Sequence, residues 1–204
     1  MDRKREERRW SASTVRDILG RSSVGIAGAG GLGSNAAMAL ARAGVGRLVV
    51  VDFDNVEESN LNRQYYFLDQ VGRPKLECLR ENIERAVRGC QIDMVDMKLE
   101  RGSMFRPFGD VDVVVEALDR ASTKAAFIEE VMLRLPEKPI VAASGVAGIG
   151  ASERIVYSRY GKLHLIEDPE ARSSDDDVLL APKVCLFAHY QANVVLEILL
   201  EVNG

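Results

Sequence analysis

The stretch Gly28-Ala29-Gly30-Gly31-Leu32-Gly33-Ser34-Asn35 follows directly on a short apolar segment, Ser23-Val24-Gly25-Ile26-Ala27. It leads into a run of small residues that reads as a helix from Asn35 to Ala43. A strand, a glycine turn and a helix N-terminus in that order leave few folds open. Glycines let the backbone approach an anion closely, and the unpaired N–H groups and positive dipole end of the helix hold it. Gly28, Gly30, Gly31 and Gly33 are therefore expected to cradle a nucleotide's phosphates. The motif alone does not say which nucleotide; the residues after it do.

Further apolar runs fill in the sheet. Arg47-Leu48-Val49-Val50-Val51-Asp52 is continuous and ends in an acid, the pattern of a strand buried on both faces. Val111–Val115 and Pro139–Ala143 read as further strands, and Ile92–Lys98 alternates like an edge or half-buried strand. Helices are expected at 35–43, where Ala36, Ala37, Ala39, Ala41 and Ala43 allow close packing, at 75–88 behind Pro74, and at 121–135. Glu153–Ser158 and Lys162–Ile166, joined around Tyr160-Gly161, predict an antiparallel hairpin, and Lys183–Val202 a closing apolar helix. Residues 2–20 read as a charged helix with Trp10, Val15, Ile18 and Leu19 on its buried side, covering a sheet edge or a dimer partner. Residues 168–180 are acidic and turn-prone and read as a mobile excursion. The alternation predicts an α/β fold: a Rossmann-like, doubly wound, mostly parallel sheet with a C-terminal antiparallel hairpin and closing helix, one domain over residues 1–204.

Composition narrows the setting. A formal net charge of −4 argues against a nucleic-acid-binding surface. Cys78, Cys90 and Cys185 form no C-x-x-C pair, which suits a reducing cytoplasm and provides no sequence-local zinc site. No uninterrupted apolar run reaches about 18 residues, so no membrane span is expected. The first ten residues lack the apolar centre of a secretory signal. A cytoplasmic protein is the expectation.

Two features narrow the chemistry. Asp52 stands 19 positions after Gly33 at a strand's carboxyl end, where an acid accepts hydrogen bonds from ribose hydroxyls. The loop Asp54-Asn55-Val56-Glu57-Glu58-Ser59-Asn60-Leu61-Asn62-Arg63-Gln64 places a guanidinium beside the phosphate turn. An enzyme that splits ATP must neutralise charge on a triphosphate as the α-phosphorus bond is exchanged, and a fixed arginine does this. The alternative is a surface loop with one salt-bridged arginine.

These residues together resemble the ThiF/MoeB/HesA family, the bacterial relatives of the ubiquitin-activating enzymes. The resemblance rests on Gly28-x-Gly30-Gly31-Leu32-Gly33-Ser34, on Asp52 with Asp54, and above all on Ser59-Asn60-Leu61-Asn62-Arg63-Gln64. Val71-Gly72-Arg73-Pro74-Lys75, Glu116-Ala117-Leu118-Asp119 and the closing stretch from Ala181-Pro182-Lys183-Val184 to His189-Tyr190-Gln191-Ala192-Asn193 continue it, over about residues 20–200. The resemblance implies ATP-dependent adenylylation of the C-terminal glycine carboxylate of a small ubiquitin-fold sulfur carrier, ThiS-like or MoaD-like, most simply in thiamine synthesis. It implies that Asp52 holds the ribose and that Asn60, Arg63 and Gln64 face the nucleotide. Lys75 would contact the phosphates, and Asp119 would hold Mg²⁺ or orient the reacting groups. A homodimer is implied, with Arg63 reaching the partner's site. The carboxylate is its own nucleophile, so positioning and charge neutralisation by Mg²⁺, Lys75 and Arg63 suffice.

The chain departs from the pattern in places. It lacks the two C-x-x-C pairs of larger members, so no zinc is expected. No cysteine falls in 168–180; Cys185 lies later, near a helix start, and reads first as core, as Cys78 and Cys90 do. Arg120 follows Asp119 where relatives carry Asn. Arg8 or Arg9 would have to replace an N-terminal arginine that some relatives send across the dimer, and His164 and His189 read as structural. Competing readings are an NAD-dependent oxidoreductase, for which no hydride-site acid/base set is visible, and a relative that activates a small carboxylate on a modified tRNA nucleoside. The acidic charge counts against the latter. A third is a nucleotide-binding scaffold without turnover.

Overall fold

The structure is a computed structural model that describes residues 10–173 and 176–203. Seven strands form one sheet: β1 (Ser23–Ala27), β2 (Arg47–Asp52), β3 (Gln91–Asp96), β4 (Val113–Glu116), β5 (Ile140–Ser144), β6 (Val156–Tyr160) and β7 (Leu163–Glu167). Their order is β3-β2-β1-β4-β5-β7-β6, and every pair is parallel except the β6–β7 hairpin. The order reverses between β1 and β4, so the crevice at their carboxyl ends is the switch point where such sheets bind ligands. The expected doubly wound sheet with its hairpin is what forms.

Two apolar layers sandwich it. Alternate residues of one strand point to opposite faces. Val24, Ile26, Leu48, Val50, Val113 and Val115 therefore join one core with α2 (Gly31–Ala43), α3 (Lys75–Ala86) and α5 (Ala181–Asn203). Ala27, Val49, Val51 and Val114 join the other with α4 (Ala121–Arg134), where Phe108 and Phe127 meet edge to face at 5.5 Å. Parallel strands covered on both faces have to be apolar throughout, which is why β2 reads as a continuous run.

Several boundaries differ from expectation. α2 starts at Gly31, not Asn35, because the glycine turn is itself the helix's first turn. α3 stops at Ala86, two residues short of expectation, where Val87 turns extended. The N-terminal helix is confined to α1 (Ala12–Leu19), opened by Ser11 whose hydroxyl accepts the Thr14 amide. Its buried Ile18 and Leu19 form its inner side, and it packs on α5 rather than over a sheet edge. The rest of that expected helix, with Arg8 and Arg9, lies outside the described residues. α5 is long and apolar enough to cross a membrane by length and composition. Here Val184, Phe187, Ala188, Val195 and Leu199 are buried in the core it shares with α2 and the sheet. Of segment 168–180, expected to be a mobile excursion, residues 174 and 175 lie outside the described residues, and bonds are made on either side of them. Asp168 is buried between Lys183 and Arg154, while the Val178 and Leu179 carbonyls accept bonds from the Gly148 amide and the Asn62 side chain.

Candidate nucleotide site

The site is built around the turn between β1 and α2. Gly28 adopts φ +101°, and a Cβ there would sit 2.7 Å from the Ala117 carbonyl oxygen. At Gly33 a Cβ would lie 1.8 Å from the Gly28 oxygen, so the helix's first turn lies flat on the turn that precedes it. Around Gly30, by contrast, the nearest atom to a Cβ would be the Gln64 amide nitrogen at 3.8 Å. α2 begins at Gly30 with no side-chain cap. Its first amides are thus left without a side-chain acceptor at the dipole's positive end, the arrangement that suits an anion.

Asp52 locks this turn from beneath. One carboxylate oxygen accepts the Ala29 amide at 2.6 Å; the other accepts the Phe53 and Asp54 amides at 2.8 Å each. The residue expected to bind ribose therefore fixes the backbone on both sides of the crevice. Tyr66 closes the back by donating its hydroxyl to the Ala29 carbonyl at 2.7 Å. Burial, then the nearby Asp52 charge, pushes the Tyr66 phenol well above its ordinary pKa, so it stays a donor.

Of the remaining expected residues, Arg63 and Gln64 lie against the glycine turn, and Asn60, Lys75 and Asp119 lie on segments next to it. Arg63 lies with its Cγ 3.6 Å from where a Gly31 Cβ would be, against the glycine turn of its own chain. Both hydrogen bonds its guanidinium makes fall on Nη1, to the Ser59 carbonyl and to Asn62 Oδ1, so among the described residues Nη2 and Nε are uncommitted. Gln64 rests beside Gly30 with its side-chain oxygen buried and unpartnered. Asn60 starts the turn that carries Arg63: its carbonyl accepts the amides of Arg63 and Gln64. Lys75 opens α3, is buried, and donates to Asp54 Oδ2 at 2.9 Å, while its amide bonds the Asp54 carbonyl. Asp119 is exposed and has no partner among the described residues. It does not cap α4, whose N-cap is Arg120 without a side-chain bond. The Ala117 carbonyl and the Leu118 side chain, just before the acid in the chain, lie against Gly28.

Three supports escaped the sequence reading. Glu116 is fully buried and accepts both the Leu118 amide and Lys124 Nζ, bracing the turn that carries Asp119. A charge ending an apolar strand run was its one visible signal. Asn35 on α2 donates to the Gly31 and Arg63 carbonyls and ties the glycine turn to the arginine loop. Asp168, Lys183 and Arg154 form a buried ion cluster that fastens β7 to the start of α5. Cys185 lies against Asn35 at 3.5 Å, and burial raises its thiol pKa, which fits a packed rather than reactive cysteine. Among the described residues no three His, Cys, Asp or Glu side chains gather to hold a metal.

A doubly wound sheet with an uncapped glycine turn, basic groups and an unpaired acid at its switch point defines a Rossmann-like nucleotide-site protein. The family model for the ThiF family matches residues 3–203, and the chain belongs to that family. The tRNA threonylcarbamoyladenosine dehydratase of Bacillus subtilis is 33% identical over 159 residues, 76% of this chain and 61% of the relative. The SAMP-activating enzyme E1 of Haloferax volcanii is 39% identical over 125 residues, 57% of this chain and 46% of the relative. The structure of Escherichia coli tRNA N6-threonylcarbamoyladenosine dehydratase, TcdA, in complex with ATP matches with a TM-score of 0.83 at 22% identity, covering 93% of this chain and 90% of that one. That last likeness is one of fold. The chain spans less than two thirds of the length of the curated relatives named here.

Proposed function

We propose that this chain binds ATP in the β1–α2 crevice and adenylylates a carboxylate. A carboxylate oxygen attacks the α-phosphorus, the bond from that phosphorus to the bridging oxygen breaks, and pyrophosphate leaves. What supports this reading is the uncapped α2 N-terminus with Arg63 packed beside Gly31 and its Nη2 and Nε uncommitted among the described residues, and the exposed Asp119 two residues after Ala117, whose carbonyl lies against Gly28. A dehydrogenase has no particular need of a polar, cationic loop beside its pyrophosphate.

Each residue has a task within that reading. The α2 amides around Gly30 and Gly31 bind phosphate oxygens, and Asp52 accepts a ribose hydroxyl. Arg63 neutralises charge that develops as pyrophosphate departs. Lys75, drawn off Asp54, does the same from the other wall. Asn60 and Gln64 hold the nucleotide's flank, Gln64 through its unpartnered oxygen. Asp119 fits a Mg²⁺ carried on the triphosphate, because such ions take one or two carboxylates and keep phosphate and water as other ligands. Bound there, Mg²⁺ supplies charge neutralisation and alignment of the phosphates. The TcdA complex with ATP and the family match support the nucleotide.

Two carboxylates are in play. The tRNA threonylcarbamoyladenosine dehydratase of B. subtilis matches the larger share of this chain, which favours a carboxylate on a modified tRNA nucleoside despite the net charge of −4. The SAMP-activating enzyme supports the C-terminal carboxylate of a ubiquitin-fold carrier, over a shorter stretch. Phe67 and Leu68, exposed by 48% and 74% just after the Arg63 loop, supply apolar surface for the homodimer that belongs to the same proposal. ATP–pyrophosphate exchange, run with threonylcarbamoyladenosine-bearing tRNA and separately with carriers ending in Gly-Gly, tests the reading. Exchange with either substrate, lowered about 100-fold or more but still measurable in Arg63→Ala and Asp119→Ala, is expected; exchange with neither, under conditions where ATP binds, overturns it.

A further inference from the structure

Arg63 Nη1 is held by two acceptors, the Ser59 carbonyl at 3.1 Å and, at the shorter distance, the side-chain oxygen of Asn62, and Asn62 is at the same time fastened to the segment that leads into α5. The Asn62 side-chain oxygen accepts from Arg63 Nη1 at 2.7 Å, its side-chain nitrogen donates to the Leu179 carbonyl at 3.0 Å, and its backbone carbonyl accepts the Ala181 amide at 3.0 Å. The amide has one workable orientation. Turned over, it would set an NH₂ against a guanidinium and an oxygen against a carbonyl, losing both bonds. The position of segment 176–181 therefore dictates where the amide oxygen sits, and that oxygen, together with the Ser59 carbonyl, fixes Nη1 and so sets which edge of the guanidinium is left open. Held by Nη1, Arg63 presents Nη2 and Nε as a fork, the geometry that engages two phosphate oxygens at once. The other face of the same segment is also fixed, through the Val178 carbonyl to the Gly148 amide.

We propose that Asn62 is a positioning residue that couples the docking of segment 176–181 to the aim of Arg63, so that the arginine is set for the departing pyrophosphate only while that segment is seated. The inference rests on the adenylylation reading for its catalytic consequence, but not for the coupling itself. Thermodynamic linkage makes the coupling reciprocal: a triphosphate that engages the Arg63 fork must tighten segment 176–181.

The test has two arms on the full chain. In hydrogen-exchange mass spectrometry, ATP is expected to slow exchange of the amides at 176–183 at least about threefold in the wild type, and not in Asn62→Ala or Arg63→Ala. Wild-type protection in Asn62→Ala overturns the proposal whether or not the enzyme turns over. In exchange kinetics, Asn62→Ala is expected to lower kcat about 10- to 100-fold with KM for ATP within about threefold, and to cost nothing further in an Arg63→Ala background. Ala181→Pro removes the amide bonded to Asn62 while suiting the first position of a helix, and is expected to reproduce part of the kcat loss with the fold intact. Equal loss in kcat and affinity, or additivity with Arg63→Ala, overturns the coupling. A wild type without exchange on any carboxylate overturns the adenylylation reading alone, since the first arm still decides the role of Asn62.

Discussion

Lys124 Nζ lies 2.9 Å from Glu116 Oε1 and the same distance from the Leu118 carbonyl, so a buried ion pair clamps the turn that presents Asp119. Glu116 has no exposed surface, and burial raises its carboxyl pKa, with Lys124 opposing the shift. A pair like this contributes little by existing and much by not being broken, because a lone charge left inside has no water to turn to.

Lys124→Met is accordingly expected to cost about 3 kcal/mol in urea unfolding at pH 7, and adding Glu116→Gln to recover most of it. The pH dependence has a definite sign. A carboxyl whose folded pKa is raised contributes stability that is full below its unfolded value, about 4.3, and lost as pH climbs through the folded value. The stability of Glu116→Gln relative to wild type should rise from pH 4.5 to 8; a gap that stays flat across that range would show that the carboxyl is not titrating out of place.

The glycine turn separates packing from binding. Gly33→Ala drives a Cβ into the Gly28 backbone, which cannot retreat without unmaking the turn, and should cost more than about 2 kcal/mol. Gly30→Ala meets nothing closer than 3.8 Å and should leave the melting temperature within about 2 °C. It still places a methyl where the phosphates approach, so calorimetry should find ATP affinity reduced at least tenfold. Unchanged ATP affinity in Gly30→Ala would place the anion elsewhere.

The fold was largely written in apolar patterning, since strands such as Val49–Val51 and Val113–Val115 can only be satisfied between two helical layers. The candidate site was legible where residues act within one short stretch of chain, as Gly33 against Gly28 and Arg63 with Asn62 do. It was illegible where the partner is remote. Lys183 reads as the polar start of a helix until Asp168 and the Ala147 carbonyl are brought to it by the β5–β7 pairing. Asp52 shows the intermediate case: its place at the strand end is plain, yet its three backbone bonds exist only once the turn has folded over it. The start of α2 was misplaced for a related reason, because glycine's poor helix propensity conceals a first turn held by tertiary contact.

The Asp168 cluster should respond to acid. Burial works against the Asp168 charge, but hydrogen bonds from Lys183, Arg154 and the Glu170 amide outweigh it and hold the pKa below its ordinary value. Its stabilisation is therefore present above the unfolded value, about 3.9, and lost as pH falls through the folded one. Lys183→Met should lower stability at pH 7 by about 3 kcal/mol and flatten the acid limb below pH 4. Equal acid sensitivity in both proteins would assign that limb to other carboxylates.

His164 on β7 gives a second, milder limb. It is buried, bonds the Tyr157 hydroxyl through Nδ1 at 2.7 Å, and burial lowers its pKa, with Arg159 adding to the effect. The neutral ring suits the fold, so stability is full above about pH 6.5 and declines as pH falls through the depressed folded value. Thermal melts of His164→Gln should decline less than wild type between pH 6.5 and 5, and a matching decline would exclude the imidazole as the cause.

The placement of α5 bears on how the protein is made. α2 is complete at Ala43, yet the helix that covers it begins at Ala181, and nearly everything between is synthesised first. Until Ala181–Asn203 has been made, the apolar faces of α2, β4 and β5 that it covers stay open, so the core cannot close before that helix emerges. Ribosome-bound intermediates ending before Ala181 are the form in which this protein most needs a holding chaperone.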